Sequence, residues 1–198
     1  MIAVLALASY LVGAIPTSFL VAKYVGGIDL REHGSRNLGA TNLYRVLGGK
    51  FAYPAGLLDI AKGAVPVVIF PPVVSHAAWV PWLFGILAIV GHVFPVYLGF
   101  KGGKGVATAA GVGLGIAPLP LLASLGVWAA LLLTTRIMSA ASIAGAVAFP
   151  LFVWLFDRNN TVLLVIGVVL AGFIAFTHRA NIRRLLAGTE PKLVRAEK

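Results

Sequence analysis

The run 105-GVATAAGVGLGIAPLPLLASLGVWAALLLT-134 carries no charged residue, and Pro118 and Pro120 stand at its middle. A helix needs about 20 mostly apolar residues to cross the hydrocarbon core of a bilayer. This run is longer than one span. It reads either as two short tilted spans or as one re-entrant hairpin. Outward from it, residues 1–22, 52–73, 77–99, 140–156 and 161–177 are further apolar stretches of spanning length. The preferred reading is two spans for 105–134. That predicts an all-α fold, a polytopic membrane helix bundle with seven transmembrane helices. The alternative is five spans plus a re-entrant hairpin. Every other loop keeps its side in both, because a hairpin returns the chain to where it started.

The composition agrees. Of 198 residues, 60% are hydrophobic and 11% charged, with a mean hydropathy of +0.96. Soluble domains carry about 25% charged residues, so this chain lacks the polar surface to face water on all sides. Disorder is excluded because disordered chains are poor in apolar residues. The length suits a single domain, 1–198, and no repeat or linker divides it. With no Cys there is no disulfide, no thiolate nucleophile and no Cys-type metal site.

The net charge of +10 is read through topology. Lys23, Arg31, Arg36, Arg45 and Lys50 share one loop, Lys101 and Lys104 a second, and Arg136 a third turn. Arg179, Arg183, Arg184, Lys192, Arg195 and Lys198 share the tail. These fourteen cations fall on one face, Arg158 alone falls on the other, and Lys62 lies within a span. The positive-inside rule makes the fourteen cytoplasmic and puts the N-terminus outside. Residues 1–22 read as a retained span rather than a secretory signal, since Lys23 follows the apolar run and no basic segment precedes it. The basicity therefore calls for no nucleic acid.

Three polar stretches interrupt the apolar pattern on that face. The first is 33-HGSRNLGATNLYR-45. Gly34 and Gly39 permit backbone shapes that turn several N–H groups toward an anion. Ser35, Asn37, Thr41 and Asn42 add side-chain donors, and Arg45 can grip a phosphate with two N–H groups. The second is 91-GHVFP-95 with 99-GFKGGKG-105. Lys101, Gly102, Gly103 and Lys104 form a flexible cationic turn at the start of a span, where a helix N-terminus adds its own positive end. It is not a Walker A loop, because residue 98 is Leu and residue 105 is Gly. Lys101 also suits interfacial anchoring, and His92 lies one or two turns inside the span. The third is 177-THRANIRR-184. His178 and Asn181 share a helix face, and a His near neutral pH can act as base or phosphate donor. Arg183 and Arg184 suit anionic lipid headgroups.

Two smaller features lie on the same face. Ser139 is placed to N-cap the sixth span, and Ser142 to point its hydroxyl into the polar site. Asp59 and Lys62 are one helix turn apart inside a span. They read equally as a functional pair and as a mutually neutralising one. No His, Asp or Glu grouping offers a metal site. The sum is a Gly-rich, cationic site for phosphate groups beside an apolar interior able to hold an acyl chain.

The three motifs together, in this order, resemble the bacterial acyl-phosphate-dependent glycerol-3-phosphate acyltransferases, small polytopic inner-membrane enzymes of phospholipid synthesis. The matching segments are Gly34–Asn42 with Arg45, then Gly91–Pro95 with Phe100–Thr108, and His178–Leu185. One departure is Arg36, where many members have Gly. The resemblance implies acyl transfer from acyl phosphate to the 1-hydroxyl of glycerol 3-phosphate, at the cytoplasmic face. It implies no cofactor, no metal and no obligate protein partner. On that basis Ser35, Arg45, Lys104, His178 and Asn181 are the candidate catalytic residues. Gly34, Asn37, Gly39, Thr41, Asn42, His92, Lys101, Gly102, Gly103 and Ser142 are the candidate substrate- and phosphate-binding residues. The general base is either His178 or a substrate phosphate oxygen. A transporter or exchanger of a phosphorylated metabolite is the alternative function. Such sites lie near mid-bilayer at a repeat interface, whereas these motifs lie on one face.

Overall fold

The protein was analysed as a computed structural model that describes residues 1–194. Arg195 and Lys198, counted above among the tail cations, lie outside the described residues. Regular structure among the described residues is helical throughout: α1 (Ile2–Ala14), α2 (Thr17–Gly26), α3 (Ala40–Leu47), α4 (Gly49–Ile69), α5 (Pro71–Val74), α6 (Val80–Val93), α7 (Val106–Ile116), α8 (Pro118–Thr135), α9 (Met138–Phe156), α10 (Thr161–Thr177) and α11 (Arg179–Leu186). Four stretches are long and apolar enough to cross a membrane: α4 with α5, α6 with the 3-10 turn that follows it, α8, and α9. Counting each of two bent pairs, α1 with α2 and α10 with α11, as one span raises the number to six. The outward faces of these helices are apolar, as at Leu7, Leu58, Leu133 and Val169. An apolar surface of this extent suits contact with lipid.

The breaks have local causes. The expected single span over 1–22 is divided at Pro16, and α1 and α2 meet at 43°. Proline lacks an N–H and pushes the residue before it out of the helical region; Ile15 accordingly sits at φ −58°, ψ 115°. The uncharged run 105–134 divides at Ala117, with Pro118 opening α8. At about 1.5 Å per residue the 11 residues of α7 reach about half of a 30 Å core. Asn160 caps α10 by accepting from the Leu163 N–H at 3.0 Å.

Two compact units are described separately, Met1–Ile116 with Val194, and Ala117–Leu193. In the first, α1 packs on α6, and α4 packs on α7, α6, α3 and α2. Glycines let these helices touch backbone to backbone. A Cβ on Gly63 would strike the Thr108 carbonyl of α7, and one on Gly111 would strike that of Ile60. Such close approach substitutes for the hydrophobic drive that lipid cannot supply. In the second unit α9 packs between α8 and α10, with α11 also against α9.

Candidate active site

In the first unit, the loop before α3 is shaped by one side chain. Asn42 is 1% exposed. Its Nδ2 donates to the His33 and Asn37 carbonyls, both at 3.0 Å, and its Oδ1 accepts from the Ser35 N–H at 2.8 Å. The amide is committed to the loop itself. Asn37 likewise turns the chain by accepting from the Gly39 N–H. Gly34 and Arg36 both sit at φ 59°, in the left-handed region. A Cβ on Gly34 would also run into Asn42 Oδ1, so glycine is needed there twice over. Ser35 is exposed at the crest, Thr41 half-buried in the first turn of α3, and Arg45 half-buried in its last turn. The opening of α3 thus presents amide N–H groups and a positive dipole end to the loop.

At the loop's start, Arg31 donates to both carboxylate oxygens of Asp29. These bonds, reinforced by the Arg31 backbone N–H, hold the Asp29 carboxyl at about 2. Beneath the loop, Leu30, Leu38 and Leu43 join Phe19, Ala22, Ala52 and Ala55 in an apolar cluster, and Leu98 packs against it. Leu98 lies between the two halves of the second polar stretch, directly before Gly99, so this cluster brings the first two motifs onto one base.

The second motif is a turn laid directly on the end of α6. The Gly102 N–H donates to the Val93 carbonyl and the Gly103 N–H to the His92 carbonyl, both at 3.1 Å. A Cβ on Gly102 would strike the His92 carbonyl, and one on Gly103 the His92 Nε2. The two glycines are therefore required by close approach. Lys101 is exposed, whereas Lys104 is half-buried at the foot of α7.

The pair inside α4 is a mutual one. Lys62 Nζ lies 2.7 Å from Asp59 Oδ1 and also donates to the Ile15 carbonyl at 2.8 Å. Thr17 Oγ1 donates to the same Asp59 oxygen. The charges of α4 thus satisfy the polar groups exposed at the Pro16 break, where lipid offers no partner. The cation meets the C-terminal, negative end of α1, as a helix dipole favours.

In the second unit, His178 stands at the 69° bend between α10 and α11 and is 3% exposed. Its Nδ1 faces the Ile174 carbonyl at 2.8 Å. A carbonyl can only accept, so Nδ1 carries the proton there, and in the neutral ring Nε2 is the acceptor. Asn181 is buried on α11, and Ser139 and Ser142 are buried on α9.

The organising residue here is one that sequence reasoning missed, Glu190. Its Oε1 accepts from Asn181 Nδ2 and from Ser139 Oγ (2.7 Å), and its Oε2 accepts from Arg184 Nε at 2.6 Å. Burial pushes the Glu190 carboxyl up, but the bonds from Asn181, Ser139 and Arg184 outweigh it and hold the group below its ordinary value. Two expectations are corrected. Ser139 does not cap α9, whose N-cap position is Ile137; its hydroxyl is taken by Glu190. Arg184 is engaged by Glu190 rather than left for lipid headgroups. The one available signal was an acid set between Arg184 and Lys192 in a basic tail. Among the described residues no group of three or more His, Asp or Glu side chains could hold a metal ion.

A family model described as glycerol-3-phosphate acyltransferase matches residues 3–188. Relatives described as glycerol-3-phosphate acyltransferase include one from Geotalea daltonii, 46% identical with 94% of this chain and 95% of that one covered. Another, from Chlorobaculum parvum, is 43% identical with 93% of each chain covered. The fold is similar to the crystal structure of PlsY (YgiH), an integral membrane glycerol 3-phosphate acyltransferase. In the glycerol 3-phosphate form the TM-score is 0.89 and the identity 39%, over 96% of this chain and 94% of that one. In the lysophosphatidic acid form they are 0.86 and 37%, over the same shares.

Proposed function

The chain belongs to the glycerol-3-phosphate acyltransferase family, and we propose that its acyl donor is acyl phosphate. The reaction joins the 1-hydroxyl oxygen of glycerol 3-phosphate to the acyl carbonyl carbon. The bond from that carbon to the phosphate oxygen breaks, giving lysophosphatidic acid and inorganic phosphate. The observation that carries the reading is the pair of Gly-built, cation-bearing turns in the first unit, fastened to one apolar base through Leu98. Two such turns suit two phosphate groups. A phosphate leaving group is already activated, so the protein's task is positioning and charge stabilisation.

The proposed roles follow. Arg45 and Lys104 hold phosphate oxygens, with Gly34, Asn37, Gly39, Thr41 and the turn Lys101–Gly103 forming the cradles that Asn42 and His92 shape. Ser35 donates to the phosphate or to the reacting oxygen. His178 and Asn181 orient glycerol 3-phosphate, and Ser142 of α9 is assigned to the same substrate. The hydroxyl proton passes to His178 Nε2 or to a substrate phosphate oxygen, whose second pKa is about 6. His178→Ala separates these: loss of most of kcat assigns the proton to the protein, and a retained kcat assigns it to the substrate. No cofactor or protein partner enters the scheme, and residues 1–198 act as one domain.

The distribution of cations supports insertion in the bacterial inner membrane with the N-terminus outside. Seven apolar segments then cross, α7 being the short one, and the three motifs face the cytoplasm. The chain lacks Cys, so single cysteines report topology cleanly. Lys50→Cys should react with a membrane-impermeant reagent only in inverted vesicles, and Asn159→Cys only from outside. The donor is tested with purified protein in detergent. Phosphate release from acyl phosphate that requires glycerol 3-phosphate supports the proposal. Acylation that proceeds from a thioester donor and not from acyl phosphate overturns it.

A further inference from the structure

The proposed chemistry leaves Asp59 unused, although it is 2% exposed inside α4 and meets three side chains, Lys62 of its own helix, Thr17 of α2 and His92 of α6. Lys62 and Thr17 are explained by the Pro16 break. The third neighbour, His92 of α6, is not. Its Nδ1 lies 3.7 Å from Asp59 Oδ1, and its opposite edge, Nε2, is the atom that a Cβ on Gly103 would strike. The same residue's carbonyl accepts from the Gly103 N–H. His92 therefore touches the turn twice, through its backbone and through its ring, and the ring spans from Asp59 to the residue next to Lys104.

We propose that Asp59 is a positioning residue for the Lys101–Lys104 turn, acting through the His92 imidazole. The inference rests on the proposed role of that turn in holding a substrate phosphate. At 3.7 Å the Asp59 carboxylate makes no hydrogen bond to Nδ1 but acts on it through charge, favouring the ring orientation that turns Nδ1 toward Asp59. The Nε2 edge is then pressed against Gly103. The carbonyls of His92 and Val93 hold the turn from below while the ring bounds it from the side. Lys104 follows directly, so a displacement of Gly103 is a displacement of the ammonium group. A misplacement of about 1 Å in a positioning contact can cost up to about a hundredfold in rate. The arrangement also ties the turn to the broken span, because the Asp59 oxygen that faces His92 is the one bonded by Thr17 and Lys62.

The test uses the purified full chain in detergent, with both substrates varied. Asp59→Asn keeps an oxygen acceptor for Thr17 and Lys62 and removes the charge. The expected result is a rise of about tenfold in KM for whichever substrate Lys104→Ala weakens, exceeding the fall in kcat. In a His92→Phe background the same substitution should change that KM by less than about twofold, because the connection is already cut. Amide hydrogen exchange across residues 99–106 should quicken in Asp59→Asn. A residue that served only the Pro16 break would quicken exchange at 12–18 and leave 99–106 unchanged. Unchanged KM in folded Asp59→Asn, or an equal rise in both backgrounds, overturns the proposal. If Asp59→Asn does not fold, His92→Gln carries the test, and unchanged KM with unchanged exchange at 99–106 overturns it. Lys104→Ala keeps the two readings apart. A silent Lys104→Ala removes the phosphate role of the turn. A damaging Lys104→Ala beside a silent Asp59→Asn removes only this inference.

Discussion

Two polar knots shape this protein's motifs, and they are built in opposite ways. Asn42 holds its loop from within, with one neutral amide bonded to backbone atoms between five and nine residues away. Glu190 gathers side chains, two of them nine and six residues away and one 51 residues away on α9, and it does so with a charge. A neutral amide asks only for geometry. A buried carboxylate asks for geometry and for compensation of its desolvation. The first knot should therefore govern activity with modest effect on stability, and the second the stability of its unit and the response to acid.

The largest expected effect is on turnover. Asn42→Ala removes the amide without adding a charge, and releases the Ser35 N–H and the His33 and Asn37 carbonyls. Activity should fall by about a hundredfold or more, read as kcat/KM in detergent, with thermal stability lowered by only about 1–2 kcal/mol. A variant that loses stability in proportion to activity would erase the contrast.

Glu190→Ala comes next. It strands the Asn181 and Ser139 donors and the Arg184 cation, and should cost about 2–3 kcal/mol, visible as a lower melting temperature in detergent. Its activity loss should exceed the unfolded fraction, because Asn181 loses the bond that fixes its amide.

The acid response sharpens the same point. The Glu190 carboxyl is held below its ordinary value in the folded chain. Its stabilisation is thus fully present above the unfolded-state pKa, and is lost as pH falls through the lower folded-state one. Melting temperature plotted against pH should drop below about pH 4.5, and Glu190→Gln should flatten that limb. Asn42→Ala should leave it unchanged.

The smallest effect is expected at Asp29. Its carboxyl is held at about 2 by Arg31, but the pair is solvent-exposed, where ion pairs contribute little. Asp29→Asn should leave the melting temperature unmoved at moderate salt.

The same contrast explains what the sequence disclosed. The apolar spans were legible because lipid demands long uncharged runs, and α10 falls on the expected residues, 161–177. The first span was read as continuous because Ile15–Pro16 is as apolar as its surroundings; hydropathy averages over a break that only backbone chemistry makes. The loop 33–45 was legible as a polar motif because its Gly, Asn and Thr residues stand close together, but Asn42 was expected to donate to phosphate, and its commitment to the loop backbone was not visible. Glu190 was not, because a single acid among Arg183, Arg184 and Lys192 looks like a diluted surface charge until the fold brings Ser139 to it. Asp59 and Lys62 were visible as neighbours on one helix. Their third partner, the Ile15 carbonyl, was not, because any backbone oxygen is the same in sequence.

That bond from Lys62 to Ile15 also bears on how the chain is made. Synthesis delivers Ile15 and Thr17 to the membrane before Asp59 and Lys62. The two charges can therefore find their acceptor and donor already in place as α4 arrives, and need never face acyl chains unaccompanied. His92 comes about thirty residues later, after the charges have been settled. The order of translation thus turns the most polar span of the first unit into one that can enter the bilayer with its partners waiting.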